Sequence, residues 1–380
     1  MGAGVQAFEA LEAAREVGLV TVGGECPTVG IVGGYTQGGG HSALSSNFGL
    51  GADQTLSWEI VTANGTLVNA SREENSDLYW AMSGGGPGTY GVALSMTAKA
   101  HPADIVGGAA VDFAVSDTVS LDMFYAGIEA FHFHLPSLVD SGTMIVYFIN
   151  NDTFEFYGLT AYGKTGAEVA IILSPFLASL EDLRIPYTVN YTTSDTYVDH
   201  YNTYFGPLPY GNIDVSTSQY GGRLIPRSTI EQNLTEFMTA LRNITSNDVE
   251  FTGVALNVSS SAITATSFNA VLPAWRTSLI HAILSTPWSF TAPWSDMIAL
   301  QDKMTYEIEP QLQEVTGVSG AYMNEADFQQ PNWQEELFGG NYGRLLEIKK
   351  RWDPDHLLYA LHTVGSDAWS VAEDGRMCRT

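Results

Sequence analysis

Two glycine-dense stretches lie within the first hundred residues and restrict what this part of the chain can become. The first glycine loop covers residues 26–42 (CPTVGIVGGYTQGGGHS), and the second glycine loop covers residues 83–91. Such a density of glycine is incompatible with a regular helix or strand, but it allows the backbone to approach a ligand closely and to offer N–H groups to phosphate or carbonyl oxygens. The pair therefore indicates one large, flat, phosphorylated ligand. Tight turns at a sheet edge remain the alternative for either loop taken alone.

The second glycine loop contains Gly86, Gly88 and Gly91 at the spacing of the dinucleotide-binding fingerprint G-x-G-x-x-G. That fingerprint follows a strand and opens a helix whose N-terminus meets the pyrophosphate. Here a helical pattern, residues 76–82, precedes the glycines and a strand pattern, residues 92–99, follows them. The order is reversed, and we do not expect a Rossmann fold.

The local patterns around the two loops mix helix and strand. Apolar residues at helical spacing predict a helix over residues 5–17, ended by Gly18. Residues 56–61 and 66–68, which flank an Asn-Gly turn, predict a β-hairpin. A further helix, with its cations in the last turn, is predicted from residue 342 to residue 352.

Beyond residue 105 the glycine clusters disappear. Alternating strands such as TMIVYFIN and TFEFYGLTAYG take their place, together with helix-like segments, one of which covers residues 169–183. An antiparallel sheet that carries helices is the simplest interpretation of residues 106–330, and it makes the chain α+β.

Charge restricts the possible partners. The chain has 16 Lys and Arg against 42 Asp and Glu, a formal net charge of −26, so nucleic acids and anionic membranes are not expected to bind. No apolar run is long enough to span a bilayer. Residues 1–20 lack the pattern of a signal peptide.

The asparagines indicate the compartment. Sequons of the N-x-Ser/Thr type predict a secreted glycoprotein, although a chain rich in Ser and Thr would also contain some. They lie at Asn64, Asn69, Asn151, Asn190, Asn233, Asn243 and Asn257.

Four motifs, in this order, resemble the berberine-bridge-enzyme-like oxidases. They are the first glycine loop, FGLGADQ at residues 48–54, DLYWAMSGGGPGTYGV at residues 77–92 and NYGRLLEIKKRWDPD at residues 341–355. The resemblance is strong at both ends of the chain. In the middle it is limited to the general pattern of strands and helices. It implies the second half of an FAD-binding domain of the PCMH type in residues 1–105, a substrate domain in residues 106–330 and a C-terminal segment, residues 331–380, that returns to the FAD domain.

The resemblance also implies a role for individual residues. Cys26 would carry FAD through a 6-S-cysteinyl bond, and Tyr35 and His41 would lie near the ring or the ribityl chain. A buried structural thiol and a structural histidine are the alternatives for Cys26 and His41. Asn341 and Tyr342 would meet the polar edge of the flavin. Two sets of glycines would contact the cofactor: Gly30, Gly33, Gly34, Gly38, Gly39 and Gly40 by packing against it, and Gly84, Gly85, Gly86 and Gly88 on its diphosphate or adenosine side.

The sequence departs from the family in one large respect. The family's FAD domain opens with a half that holds a second covalent link through a histidine, and none of the histidines here lies in that motif. We therefore expect the histidine link in a missing N-terminal part. The chain would be a fragment, a naturally shortened product or one whose first half comes from a separate chain. Cys378 would pair with a cysteine of the absent part. Residues 1–380 expressed alone would be unstable and would bind FAD weakly or not at all.

Oxidation at a flavin requires a base that takes a proton from the substrate. The candidate segment is AYMNEAD, residues 321–327, which resembles the family's tyrosine-rich strand beside the ring. We favour Glu325 over Tyr322, and in an extended strand the two would point to opposite faces.

The function expected is transfer of a hydride from an alcohol, a sugar or another secondary metabolite to FAD, with O2 reduced to H2O2. The alternative is an inactive or ligand-binding relic of such an oxidase. No metal is expected, since His132 and His134, at strand spacing, lack a third ligand. Tyr201, Tyr204 and Phe205 are generic aromatic candidates for the substrate pocket.

Overall fold

The computed structural model describes residues 1–213, 217–259, 268–372 and 374–380. Residues 1–105 form short strands and helices around the two glycine loops, and β2 pairs with both β3 and β4 in an antiparallel sheet. The strands are β1 (Leu19–Val20), β2 (Thr55–Val61), β3 (Leu67–Ser71), β4 (Val92–Ala98) and β5 (His101–Pro102). The helices are α1 (Ala7–Glu16), α2 (Thr36–Gly38), α3 (Ser45–Phe48), α4 (Gly51–Gln54) and α5 (Ser76–Met82).

The middle of the chain forms a large antiparallel sheet. Its strand order, among the described residues, is β10-β12-β11-β7-β8-β6-β9. The strands are β6 (Val106–Ala114), β7 (Thr143–Ile149), β8 (Thr153–Tyr162), β9 (Thr188–Ser194), β10 (Ser218–Pro226), β11 (Glu250–Ala255) and β12 (Ser278–Pro287). The helices are α6 (Leu121–Asp140), α7 (Gly166–Asp182), α8 (Tyr197–Tyr204), α9 (Arg227–Gln232), α10 (Leu234–Thr245), α11 (Trp294–Lys303) and α12 (Glu309–Thr316).

The two faces of this sheet have different surroundings, because successive side chains of a strand point to opposite sides. The helical face carries Tyr147, Phe154 and Phe156, which lie in the apolar core beneath α6, α7 and α10. The other face carries Phe148 and Tyr157 and is turned toward the first glycine loop. We call it the cavity face.

The C-terminal residues return to the N-terminal region. They form α13 (Trp333–Phe338), α14 (Tyr342–Trp352), β13 (Trp369–Val371) and β14 (Met377–Arg379). Lys349 on α14 is only 1% exposed, and its Nζ donates to Asp353 Oδ2 (2.6 Å), to the Leu358 carbonyl (2.7 Å) and to the Thr89 carbonyl (2.8 Å) in the second glycine loop. Burial lowers the pKa of Lys349, and the Asp353 carboxylate opposes that change. A buried cation thus ties the end of the chain to a loop near its beginning.

The α+β class and the antiparallel middle sheet are confirmed, and several local predictions hold closely. Helix α5 has the predicted limits, α14 ends at Trp352 as expected, and β2 and β3 form the predicted hairpin. The first glycine loop is less irregular than expected, because it contains a π-helical turn at Ile31–Tyr35 that runs into α2. Nowhere in the described ranges is there a helix that could span a membrane.

His132 and His134 do not share one face of a strand, which their spacing would have allowed. Both lie on α6, whose apolar positions repeat at helical rather than alternating spacing. His132 contacts the Ile128 carbonyl and the Tyr147 hydroxyl, whereas His134 contacts Ser179, so the two imidazoles face different neighbours.

Candidate functional site

A cavity of about 900 Å³ lies between the first glycine loop, the cavity face of the sheet and residues 322–325. Its glycine-loop wall includes Cys26, and its far wall consists of strands from the middle of the chain. The described residues that line it are Gly24, Glu25, Cys26, Val29, Gly30, Gly33, Gly34, Tyr35, His41, Val146, Phe148, Glu155, Tyr157, Asn212, Ile213, Thr217, Ser218, Tyr220, Glu250, Thr252, Val254, Ile283, Ser285, Tyr322, Asn324 and Glu325.

The glycine-loop wall fits a flat ligand. A Cβ added at Gly33 would meet no heavy atom within 4 Å, and one added at Gly30 would meet only the Ala3 carbonyl, at 4.0 Å. Cys26 is partly exposed, and its thiol is not in a disulfide. Bare backbone beside an available thiol is what a covalently attached flavin ring would need. The residues present therefore fit the expected cofactor.

Gly38, Gly39 and Gly40 of this loop lie against protein side chains. A Cβ at Gly38 would lie 2.6 Å from the Asn324 amide, and a Cβ at Gly40, whose φ is +76°, would lie 2.7 Å from the Tyr35 ring. The glycines therefore allow Asn324 and Tyr35 to pack against the loop. Tyr35 in turn donates from its hydroxyl to the His41 carbonyl (2.8 Å). A Cβ at Gly39 would likewise meet protein, with Tyr322 and Val271 at 3.8 Å.

Tyr322 and Glu325 both line the cavity. Residues 321–327 are not a strand as the sequence suggested, because the chain turns and the Glu325 N–H donates to the Tyr322 carbonyl (2.9 Å). This turn removes the conflict expected between the two side chains. The Tyr322 hydroxyl accepts a hydrogen bond from Asn324 Nδ2 (2.7 Å), which also donates to the Gly34 carbonyl (2.9 Å).

The Glu325 carboxylate is the centre of a charged network. His281 Nε2 donates to its Oε2 at 2.6 Å, and His41 Nε2 lies 3.1 Å from each of its oxygens. On the far side of His41, Nδ1 lies 3.2 Å from Glu25 Oε2. The Glu325 side chain remains 33% exposed, whereas His41 and Glu25 are each 9% exposed and His281 is fully buried. Glu325 is thus the most exposed group of the network, and the buried ion pair of His41 and Glu25 supports it.

The pKa values of the network follow from these contacts. Burial opposes ionisation of Glu325, but His41 and His281 outweigh it and hold the pKa of the carboxyl well below its usual range. Burial alone would lower the pKa of His41, yet Glu325 and Glu25 raise it well above 6.5. Burial raises the pKa of Tyr322 strongly, with a further contribution from Glu325. At neutral pH, Glu325 is therefore an anion and Tyr322 a neutral phenol.

His41, His281 and Glu325 also form a group whose ligand atoms lie within 4.8 Å of one another. Two ligands of a tetrahedral zinc ion at about 2.0–2.1 Å are separated by about 3.3 Å. The 2.6 Å between His281 Nε2 and Glu325 Oε2 is instead a hydrogen-bond distance. The group is arranged as an ion-pair network, and the absence of a metal requirement stays a prediction.

The second glycine loop lies behind the first rather than on the cavity. The Gly86 N–H donates to the Gln37 carbonyl (3.0 Å), and the Gly88 N–H donates to Gln37 Oε1 (3.2 Å). A Cβ at Gly84 would meet Val271 at 2.5 Å, and one at Gly85 would meet the Ala81 carbonyl at 2.4 Å. The expected contact of this loop with the diphosphate or adenosine stays a prediction.

Asn341 and Tyr342 are not among the residues that line the cavity, and their expected contact with the polar edge of the flavin stays a prediction. Asn341 Nδ2 donates to the carbonyls of Ala270 (3.1 Å) and Val271 (3.2 Å). The Tyr342 hydroxyl accepts from Gln334 Nε2 at 3.1 Å. Asn341, the N-cap of α14, thereby joins the C-terminal segment to residues 270–271, whereas the Tyr342 contact lies within the segment.

The aromatic candidates Tyr201, Tyr204 and Phe205 are buried and do not line the cavity. Tyr201 nevertheless holds one segment of the cavity wall in place. Its hydroxyl donates to the carbonyls of Gly24 (3.1 Å) and Glu25 (2.7 Å), just before Cys26. Cys378 lies on β14, is exposed and is not in a disulfide. Its expected pairing stays a prediction.

Sequence reasoning missed Glu25, His281 and the residues of the cavity face. Glu25 directly precedes Cys26, and that position was the available signal. His281 stands in an alternating strand, and nothing local distinguishes it from a structural histidine.

Comparison with known proteins agrees with this geometry. A family model described as FAD binding domain matches residues 1–71, and one described as berberine and berberine like matches residues 321–364. FAD-linked oxidoreductase ZEB1 from Gibberella zeae is 55% identical over 380 residues, and FAD-linked oxidoreductase patO from Aspergillus clavatus is 48% identical over 379. The crystal structure of the VAO-type flavoprotein MtVAO615 from Myceliophthora thermophila is 39% identical, with a TM-score of 0.96 over 100% of this chain and 69% of that chain.

The chain spans 66% of the length of each of these two FAD-linked oxidoreductases. They carry their additional length in the same polypeptide, so the comparisons give no support to a first half supplied by a separate chain. The glycine-loop wall, the cavity and these similarities lead to one assignment. This chain belongs to the berberine-bridge-enzyme-like FAD-linked oxidoreductases of the vanillyl-alcohol-oxidase superfamily.

Proposed function

We propose that the protein oxidises an alcohol group of a sugar or secondary metabolite, with FAD as hydride acceptor and Glu325 as the base. The observation that carries the proposal is the ionised Glu325 carboxylate in the cavity wall. It faces the same space as Cys26 and the first glycine loop. When bound, FAD supplies the hydride acceptor, and its reoxidation by O2 yields hydrogen peroxide. The relatives named as FAD-linked oxidoreductases support this class of reaction.

Glu325 is better suited than Tyr322 to receive the proton. A general base must be deprotonated and within reach of the substrate hydroxyl. Glu325 meets the first condition because two imidazoles stabilise its charge, and it remains partly exposed to the cavity. Tyr322 keeps its proton at neutral pH and can instead donate a hydrogen bond to the substrate oxygen. Loss of the hydroxyl proton to Glu325 and of the carbinol hydride gives an aldehyde or a ketone.

The two imidazoles orient the base. His281 Nε2 is fully buried and donates to Glu325 Oε2, which leaves Oε1 next to His41 and the cavity. Glu325 itself and, to a smaller extent, Glu25 keep His41 protonated. These contacts fix the position of the ionised Glu325 carboxylate and leave it accessible to a substrate in the cavity.

Substitution of Glu325 tests the assignment. In the flavin-loaded protein, Glu325→Gln should slow reduction of the flavin by substrate by about 10²–10⁴-fold while flavin content is kept. Tyr322→Phe should cost much less, and Glu314→Gln, which changes an exposed carboxylate on α12, should cost nothing. Stopped-flow absorbance measures all three rates, and a peroxide assay identifies the second product. Flavin reduction in Glu325→Gln at the wild-type rate would contradict the proposal. A wild-type protein whose flavin no alcohol reduces would also contradict it and would favour an inactive relic.

We also propose that the flavin is attached to Cys26 through a 6-S-cysteinyl bond. The supporting observation is a free, partly exposed thiol on the glycine-loop wall. Cys26→Ala should remove flavin mass from the peptide that contains residue 26, and it should slow flavin reduction because an electron-withdrawing thioether is lost. Cys378→Ala is the matched control, because that thiol is exposed and far along the chain from the cavity residues. Flavin mass on any other peptide of residues 1–380 would contradict the attachment.

Secretion and N-glycosylation are proposed on the exposure of the sequons. Six of the seven asparagines are exposed; Asn257 is partly buried, and its Nδ2 donates to Asp140 Oδ1 (2.9 Å). Material secreted by a fungal host should therefore lose mass on endoglycosidase treatment, with Asn257 the least occupied site. An unchanged mass would contradict this proposal.

A further inference from the structure

The charge of the cavity lining is one-sided. The described residues that line it include the carboxylates Glu25, Glu155, Glu250 and Glu325, and neither a lysine nor an arginine. The only cation among them is His41, which is engaged by two of these carboxylates.

The four carboxylates fall into two pairs. Glu25 and Glu325 share the His41 cation, and Glu325 also accepts a hydrogen bond from His281. Glu155 and Glu250 are exposed, and within the described part of the chain neither forms an ion pair or a hydrogen bond through its side chain. Two uncompensated negative charges therefore border the cavity.

Strand register places these two charges on either side of one aromatic ring. Glu155 on β8 lies opposite Phe148 on β7, and Phe148 lies opposite Thr252 on β11. Glu250 is two residues from Thr252 and thus points to the same face of the sheet. Both carboxylates therefore border the space in front of the Phe148 ring.

The lining between them is mostly apolar, with the hydroxyls of Thr252 and Ser285 among it. Val146, Phe148, Tyr157, Val254 and Ile283 contribute the surface of the cavity face. Such a surface favours an uncharged, partly apolar molecule. The unpaired Glu155 and Glu250 carboxylates would lie about 5–10 Å from an anion bound in this space. At the low effective dielectric of a partly enclosed site, their repulsion opposes entry of the anion.

We propose that Glu155 and Glu250 exclude anionic compounds, so that the substrate is an alcohol that carries no carboxylate, phosphate or sulfate group. This inference rests on the proposed function, which it deepens by naming the substrate class. The aldehyde or ketone formed is also uncharged, and an acid formed from it by a later step would be expelled rather than rebound.

Binding of three probes with one skeleton tests the inference. They are methyl 4-(hydroxymethyl)benzoate, the 4-(hydroxymethyl)benzoate anion and 4-(aminomethyl)benzyl alcohol as the cation. Their dissociation constants for the flavin-loaded protein are measured by equilibrium dialysis without O2, at about 10 mM and about 500 mM salt. The variants are Glu155→Gln with Glu250→Gln, and, as control, Glu236→Gln, an exposed carboxylate on α10 at the helical face.

We expect the ester to bind about tenfold or more tightly than the anion at low salt, and the cation to bind at least as tightly as the ester. The ester-to-anion ratio should fall to about threefold or less in the double variant and at high salt, and should not change in Glu236→Gln. Equal binding of ester and anion, binding of no probe, weaker binding of the cation than of the ester, or an unchanged ratio in the double variant would each overturn the inference. Failure of the proposed function shows separately, as a flavin that the bound ester and other alcohols do not reduce.

Discussion

The two faces of the large sheet differ in what they contribute, although they are made by alternate residues of the same strands. On β8, Phe154 and Phe156 lie in the core under the helices, while Glu155 and Tyr157 between and beside them line the cavity. The helical face is aromatic and apolar, and the cavity face carries carboxylates, hydroxyls and an imidazole. Stability and chemistry are thus separated by a single residue step, and substitutions one position apart should affect different properties.

The two buried histidines make the same contrast in one residue type. His132 packs under the helical face and meets neutral partners, so burial lowers its pKa to about 4. His41 lies between the carboxylates of Glu25 and Glu325, and these raise its pKa despite burial. His281 meets only Glu325, and there burial outweighs the carboxylate and lowers the pKa. Two carboxylate partners, rather than one, are therefore needed here to keep a buried imidazole charged.

The largest effect on stability is expected at the helical face. Phe156→Ala should lower the free energy of unfolding by about 3–5 kcal/mol, because it removes a fully buried ring from a packed core. Chemical denaturation measures the loss. Tyr157→Phe, one residue away on the cavity face, should change it by less than about 1 kcal/mol. If both variants lose the same stability, the two faces are not separate in the sense proposed.

The next effect concerns His132 and acid. Its pKa in the folded protein, about 4, lies below the usual 6.5, so the neutral form is stabilised, and this contribution is lost as the pH falls from about 6.5 toward 4. Wild type should therefore lose about 2–3 kcal/mol of unfolding free energy over this range that His132→Phe does not lose. Parallel stability curves for the two proteins across these pH values would refute the assignment.

His41 should behave in the opposite sense. Because its folded pKa is raised, its contribution is full below about pH 6.5 and is lost as the pH rises through the folded value. Glu325, whose folded pKa is lowered, contributes fully above about pH 4.5. His41→Asn should thus cost about 1–3 kcal/mol between these limits and less at higher pH. A deficit that grows with pH would show that His41 is not held as a cation.

The smallest effect is expected away from both faces. Asn341→Ala removes two hydrogen bonds to backbone carbonyls and should cost about 1–2 kcal/mol of stability. The absorbance spectrum and reduction potential of the flavin should not move. A shifted potential would restore the role beside the ring that the sequence suggested.

The sequence predicted elements whose determinants are local. Helix α5, helix α14 and the hairpin of β2 and β3 follow from periodicity, a turn dipeptide and a stop signal, and the glycine loops with Cys26 follow from motif order. Glu25, His281 and Glu325 come from positions as much as 300 residues apart in the chain. Periodicity reports that a residue faces one side of its strand, but not what lies on that side.

The same limit applies to the places of individual residues. Asn341 and Tyr342 match a family pair letter by letter but do not line the cavity, whereas Tyr322 and Asn324 do. The conflict predicted between Tyr322 and Glu325 rested on an extended backbone, and a single turn with one hydrogen bond removed it.

The Lys349 contact with the Thr89 carbonyl joins residues 260 positions apart. The ribosome releases the second glycine loop long before it releases α14. During most of translation the Thr89 carbonyl therefore lacks its contact with Lys349. Helix α14 can supply the cation only after the strands and helices of the middle sheet have emerged and had time to fold. The second glycine loop, which lies behind the glycine-loop wall, therefore gains its last contact only when the end of the chain has been made.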